Sequence, residues 1–494
     1  MSADSSSSKH AVFDPANLNT QALNVVSRPL KIVIACDTFP PDINGASRFA
    51  ERLAGGLARR GHDVHIIASA YDKNHGTFRE VIDGAEMTVH RLRSYKLPQH
   101  ETLRWPWPFT IGREAKKIFD VLQPDVVHFQ SHLVIGRFVV GVAKRAGIRM
   151  VATNHIMPEN LIKYSVIIPP FLEKAAMDWA WRDAGRFFAK VDAVTTPTRR
   201  AADLLEKATG MTGVMAISCG IDASKFKNST PPSNQPPRIL FLGRLDYEKH
   251  IHNLLRAVAK LPRELGVLVD LVGRGGEQAY LEELATELGI RESVNFYGHV
   301  SEEDLPKAYE RSTVFAMPSI AELQSIATME AMASGRPVVA ADAMALPHLV
   351  HDGDNGYLFP PDDVDAFADR LKRVLTADAA ELERLSENSL YLIKSHDIQR
   401  TLSIFEKLYV GDEVTESSDD NRPEYSEPIG RLNEVFHEQI LTFRRRSEAL
   451  ADRMEEASEE LRERLEDIRE RAEKVDRKVR LAVKRARKRL NRER

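Results

Sequence analysis

The chain has 494 residues, with 69 Lys and Arg against 72 Asp and Glu and a formal net charge of −3. That length leaves room for two or three domains with sizeable cores, and the balanced charge gives no global reason to expect a nucleic-acid partner. The two cysteines, Cys36 and Cys219, stand far apart in no metal-like or redox spacing, which argues against a disulfide framework and fits a reducing cytoplasm.

Residues 1–29 are polar and Ser-rich and are expected to form a disordered leader rather than a signal peptide. Lys31 to Ala35 is then a short apolar run, followed by a loop through Pro40, Pro41 and Gly45, a helical pattern to Arg60, and a second apolar run from Val64 to Ala68. Strand, glycine loop, helix and strand open a doubly wound α/β unit. Apolar runs recur at Asp125 to Phe129, Met150 to Thr153 and Ala193 to Thr196, so residues 30–215 are expected to form one Rossmann-like domain. A Pro/Ser/Asn cluster from Thr230 to Pro237 has the composition of a linker.

The alternation then restarts with strands expected at Ile239 to Leu242, Val267 to Val272, Val294 to Tyr297, Val314 to Met317, Val338 to Ala340 and Gly356 to Phe359. Helices are expected at Ile251 to Lys260, Glu277 to Leu288 and within Glu381 to Val410. Residues 216–410 thus read as a second Rossmann-like domain facing the first across a cleft. Dehydrogenases also use paired Rossmann halves, so fold alone does not choose a function. Residues 411–430 are acidic and poor in aliphatic side chains, as expected of a flexible linker. In residues 431–494, apolar positions from Leu450 to Val479 follow three-and-four spacing, which predicts a long amphipathic helical tail. Its end, from Lys474 to Arg494, carries eleven Lys or Arg against Asp476 and Glu493. No run approaches the roughly 18 to 20 apolar residues that span a bilayer. The tail is therefore suited to an anionic membrane surface, with self-association through Leu450 to Ala472 as a compatible second role and nucleic acid not expected.

Two stretches carry chemistry. Between Ser319 and Val339, Glu322 and Glu330 stand with seven residues between them, Glu322 in a loop and Glu330 within a helical stretch from Ala327 to Ala333. Two carboxylates so placed can grip different parts of one elongated ligand, beside a helix N-terminus suited to phosphate. At the start of the second domain, Phe241-Leu-Gly243-Arg244-Leu-Asp246-Tyr-Glu-Lys249 puts two cations five residues apart after a strand and a glycine turn. Cations there suit a leaving group whose negative charge grows as a bond breaks.

With its Gly335-Arg-Pro337-Val-Val tail, the first stretch resembles the Glu-x7-Glu donor-sugar motif of the retaining glycosyltransferases of family 4. The second resembles their phosphate motif, with His250 in place of the usual glycine after the lysine. Leu271-Val272-Gly273-Arg274-Gly275 resembles the loop lining the nucleotide site, and Tyr297-Gly298-His299-Val300 the loop beside the base. Asp125-Val-Val-His128-Phe-Gln130-Ser-His132 resembles an Asp-x-x-His-x-His segment, with Gln130 in the second histidine's place and His132 two residues on.

The resemblance covers about residues 30 to 410. It implies the α/β GT-B fold and transfer of a hexose from a UDP-sugar or GDP-mannose with anomeric configuration kept, needing neither cofactor nor metal. Carried over residue by residue, it implies that Arg244 and Lys249 stabilise the departing diphosphate, Glu322 holds the sugar hydroxyls and Glu330 binds the ribose. His132 would face the reacting sugar, with His155 a further imidazole near the acceptor. Gly45, Gly243, Arg274, Gly275, Val300, Leu323, Gln324 and Ser325 would complete the donor site. The variant Ala-Glu322-Leu-Gln324-Ser325, with Ala343-Met344-Ala345-Leu346-Pro347 downstream, most resembles enzymes that glycosylate diacylglycerol or related lipids. A lipid acceptor and a peripheral place on the inner face of the plasma membrane are therefore expected. The competing class is a non-catalytic glycosyltransferase-like scaffold acting through its tail.

Overall fold

A computed structural model describes residues 26, 28–42, 44–96, 104–156, 173–226 and 236–414. Most of the expected leader and of the 411–430 linker, the 431–494 tail and most of the Thr230 to Pro237 cluster lie outside the described residues, as does the apolar run 157–172.

The first domain is built on β1 (Lys31–Cys36), whose last five residues are buried. It lies between β2 (Asp63–Ser69) and β7 (Val126–Phe129), with Ile32 in parallel register with Val64 on one side and Val126 on the other. Strands buried on both faces read as continuous apolar runs, which is why these were legible in the sequence. With β3 (Gly76–Ile82), β4 (Ala85–Leu92), β8 (Arg149–Thr153), β9 (Ala193–Thr196) and β10 (Met215–Ala216), the sheet runs in the order β10-β9-β8-β7-β1-β2-β4-β3. Of these described strands, only β3 is antiparallel to its neighbour. A separate two-stranded ribbon joins β5 (Ser94–Lys96) to β6 (Arg104–Pro106).

The second domain holds β11 (Arg238–Leu242), β12 (Leu268–Val272), β13 (Val294–Gly298), β14 (Val314–Met317), β15 (Val338–Ala341) and β16 (Gly356–Phe359). All pair in parallel, in the order β13-β12-β11-β14-β15-β16. In each sheet the order reverses around the first strand, the point at which ligands bind in open α/β folds.

The last helix among the described residues, Ile398–Val410, packs back on the first domain. Glu406, itself buried, lies 2.7 Å from Arg60 and 2.9 Å from His62. Arg149 donates to the Leu408 carbonyl at 2.7 Å, and the Tyr409 hydroxyl lies 2.7 Å from Nδ1 of His128. A carboxylate buried with a guanidinium and an imidazole holds the helix only while all three partners remain. Among the described residues, no helix is long and apolar enough to cross a membrane.

Candidate active site

Strand β11 delivers the phosphate-type loop. Two close approaches shape it: a Cβ on Gly273 would lie 1.8 Å from the Gly243 carbonyl oxygen, and one on Gly275 would lie 2.3 Å from that of Leu245. The loops after β11 and β12 are thus in backbone contact, stitched by Leu245 N–H to Arg274 O at 3.0 Å and Glu277 N–H to Leu245 O at 2.9 Å. Both glycines are required by this contact alone. Arg274 is exposed beside it and Val300 is half-buried.

Arg244 leans on its own loop, donating to Glu248 at 2.7 Å and also to Asp246. Lys249 ends the short 3-10 turn Tyr247–Lys249, and its Nζ lies 2.5 Å from Oε1 of Glu322. His250 takes a left-handed backbone, φ 49 and ψ 32, before helix Ile251–Ala259 begins. That conformation is the reason a glycine suits this position, and it costs a side chain energy. Here the imidazole is buried, with Nδ1 3.0 Å from Asp362, which also accepts from Asn253 at 2.9 Å.

Glu322 lies in the loop after β14, ahead of helix Ile326–Ala333. Its carbonyl accepts from the Ala345 N–H at 3.2 Å, which ties the loop to the Ala343 to Pro347 segment singled out in the sequence. Ser325 caps the helix, its hydroxyl accepting from the Thr328 N–H at 3.3 Å. Leu323 and Gln324 face the first domain and the connection to it. The Thr198 hydroxyl donates to the Leu323 carbonyl at 2.9 Å, and the Gln324 amide oxygen accepts from the Cys219 N–H at 2.7 Å while its nitrogen donates to Ser218 at 3.1 Å.

Glu330, on the helix, is buried between the two domains. Arg52, from the first-domain helix Gly45–Arg59, approaches Oε1 at 2.5 Å, and the Tyr309 hydroxyl donates to Oε2 at 2.9 Å. Burial and the Glu330 carboxylate hold the Tyr309 hydroxyl well above its ordinary pKa, so it stays a donor. One turn before Arg52, Arg48 pairs with Glu302 of the second domain. Gly45 opens this helix with open space where a Cβ would be, and Asn44 caps it by accepting from Ser47 at 2.9 Å.

The histidines are held deep in the first domain. His132 is buried against Phe187 and Phe188, ring centroids 6.4 and 5.6 Å away, and burial brings its pKa down to about 4. His155 lies with Nε2 3.0 Å from the Gln130 amide oxygen and is lowered to about 3 by burial. Both imidazoles are therefore neutral at neutral pH and can exchange hydrogen bonds but not lend a positive charge. The side-chain nitrogen of Gln130 and Nδ1 of His132 are buried without a hydrogen-bond partner among the described residues. His128 is fully engaged, by Tyr409 and by the Thr153 hydroxyl at 2.7 Å.

The structure thus brings Lys249 to Glu322 and places Arg244 on the same loop. Glu330 lies one helical stretch on, while His132 stays in the aromatic core. Sequence reading missed Arg52, Arg48 and Tyr309, which meet the Glu330 neighbourhood. Arg52 is 278 positions from Glu330 and carries no local motif. Among the described residues, no group of three or more His, Cys, Asp or Glu is placed to hold a metal ion.

Two family models match consecutive parts of the chain: Glycosyltransferase Family 4 over residues 43–225 and Glycosyl transferases group 1 over residues 222–390. A GDP-mannose-dependent alpha-mannosyltransferase of Mycobacterium tuberculosis is 28% identical over 342 residues, covering 67% of this chain and 84% of that protein. The alpha-monoglucosyldiacylglycerol synthase of Streptococcus pneumoniae is 25% identical over 348 residues, covering 67% and 75%. In fold, the chain is similar to Anabaena HepE in complex with UDP-glucose, with a TM-score of 0.60 at 20% identity over 77% of this chain and 99% of that one.

Proposed function

We propose that this chain, which belongs to the family 4 glycosyltransferases and has their GT-B fold, moves a hexose from a UDP- or GDP-linked donor to the hydroxyl of a membrane lipid, with retention. The observation that carries the reading is the pairing of a loop cation with a candidate sugar-binding carboxylate: Lys249 Nζ lies 2.5 Å from Glu322, on the strand-to-helix loop that leads to Glu330.

In this reading the donor lies along that loop. Arg244 and Lys249 leave their carboxylate partners for the diphosphate, Glu322 turns to the sugar hydroxyls and Glu330 takes the ribose. The acceptor oxygen attacks the anomeric carbon on the face the diphosphate leaves. The carbon–oxygen bond to phosphate breaks, its electron pair goes to the diphosphate oxygen, and the acceptor proton goes to a phosphate oxygen. Charge grows on the diphosphate as this happens, so fixed cations stabilise the transition state more than the ground state. His132, buried, and His155, half-buried, both neutral, would serve as hydrogen-bond partners to a sugar or acceptor hydroxyl.

Both candidate bases find support among similar proteins: HepE was crystallised with UDP-glucose, and the mycobacterial relative is named for GDP-mannose. The diacylglycerol glycolipid synthase supports a lipid acceptor. The basic tail would recruit the enzyme to an anionic bilayer, at about 1 kcal/mol for each Lys or Arg near the surface, and its apolar seam could serve self-association. The test is incubation of the full chain with labelled UDP-glucose, UDP-glucuronate and GDP-mannose plus membrane lipids. Label in the lipid phase supports the reading, and its absence with every donor contradicts it.

A further inference from the structure

Glu330 is held by a residue of the opposite domain. Arg52 Nη2 lies 2.5 Å from Oε1 of Glu330, and the Tyr309 hydroxyl, fixed also by the Ala327 carbonyl at 3.1 Å, lies 2.9 Å from Oε2. The Arg52 and Glu330 side chains are only 13% and 3% exposed. An ionised carboxylate offers about four acceptor sites, so these two donors leave room for ribose hydroxyls. The other terminal nitrogen of Arg52, Nη1, is buried and has no hydrogen-bond partner among the described residues. A buried guanidinium donor left unmet is costly, and a ligand oxygen arriving there would relieve the cost.

Building on the reading of Glu330 as the ribose ligand, we propose that Arg52 is the first-domain half of the ribose site: its Nη2 fixes the Glu330 carboxylate and its Nη1 donates to a ribose oxygen. Because the helix carrying Arg52 belongs to one domain and Glu330 to the other, the ribose is recognised fully only when the domains are closed. Arg48, one turn earlier and paired with Glu302, steadies the same helix against the second domain. A nucleotide thereby stabilises the closed arrangement, since a ligand shifts an equilibrium by its differential affinity for the two states. A donor analogue without ribose hydroxyls forfeits that part of the closing energy.

The experiment is titration calorimetry on the full chain with UDP, GDP and their 2′,3′-dideoxy analogues, comparing wild type, Arg52→Gln, Arg52→Lys and Glu330→Gln. For the base that binds, wild type prefers the ribose form. Arg52→Gln is expected to shrink that preference about tenfold, the effect of one charged hydrogen bond. Arg52→Lys, which keeps the charge but not the fork, should fall between. Glu330→Gln is expected to abolish the preference. If Glu330→Gln abolishes it while Arg52→Gln leaves it at the wild-type value, or lowers both affinities equally, Arg52 has no part in ribose recognition and the inference is overturned. If Glu330→Gln keeps the full preference, or if neither diphosphate binds wild type, the reading of Glu330 itself fails and the inference with it.

Discussion

Lys249 and Glu322 are 73 positions apart in the chain, yet Nζ of one lies 2.5 Å from a carboxylate oxygen of the other, with both side chains largely buried. Arg244 is likewise engaged, by Glu248 and Asp246. Each of these loop cations thus meets a carboxylate of the site. A diphosphate that displaces these carboxylates exchanges one charged contact for another, so its net gain is smaller than the count of new contacts suggests.

The leaving-group role predicts that Arg244→Ala and Lys249→Ala each lower kcat by an amount equivalent to roughly 2.7 to 4 kcal/mol of barrier. Melting temperature should move less than turnover for Arg244→Ala, because that side chain is 43% exposed. Turnover within a few-fold of wild type in both variants would remove the two residues from the chemistry.

The two glutamates should fail differently. Glu330→Gln is expected to weaken binding of the free nucleoside diphosphate, whereas Glu322→Gln should spare it and impair transfer. Binding measured by calorimetry and transfer measured by lipid-phase label separate the two. Equal loss of diphosphate affinity in both variants would contradict the division.

The first strands of both sheets were legible because buried parallel strands are unbroken apolar runs, and the loop place of Glu322 and helix place of Glu330 were legible from the pattern around them. The hairpin of β3 and β4 was not anticipated. Its outer strand is mostly exposed and so carries no apolar run, although the Asp83-Gly84 turn, both residues at positive φ, is a hairpin signal. Arg52 could not be read from spacing, since its meeting with Glu330 is created by the facing of two domains, and Tyr309 reaches Glu330 from a separate helix of the second domain, 21 positions earlier. The packing of His132 against Phe187 and Phe188 depends on how helix Glu173–Phe188 lies, which no local pattern specifies.

At His250 the turn into the helix is left-handed, and the variants are expected to keep it so. His250→Ala keeps the backbone cost and loses the contact with Asp362, while His250→Gly loses the contact but relieves the cost. Denaturant unfolding should find the alanine variant less stable than the glycine variant by about 1 kcal/mol. The reverse order would show that the turn is not held in this conformation.

Buried histidines set an acid limit. His128, His155 and His396 are lowered to about 3, and His132 to about 4, each chiefly by burial. The unfolded chain, with histidines near 6.5, takes up protons first as pH falls. The stability from keeping these rings neutral is thus fully present above about 6.5 and is lost progressively towards the folded values. Urea midpoints should fall between about pH 7 and about pH 5, with a shallower fall in His155→Gln. Midpoints that do not change over that range would contradict the burial of these rings.

For the tail, sedimentation with anionic and neutral liposomes across a salt series should show binding that needs anionic lipid, weakens with salt and disappears when residues 431–494 are removed. Binding unchanged by the truncation would assign membrane contact to another part of the chain.

Retaining transfer of a hexose to lipid is tested most directly by the anomeric configuration of the product. Full-length enzyme is incubated with carbon-13-labelled UDP-glucose or GDP-mannose, both α-linked donors, and with diacylglycerol in mixed micelles. The one-bond carbon–hydrogen coupling at the anomeric carbon of the purified glycolipid is then read by NMR. An α-linked glycolipid is the predicted result; a β-linked product, or no labelled lipid from either donor, would contradict it.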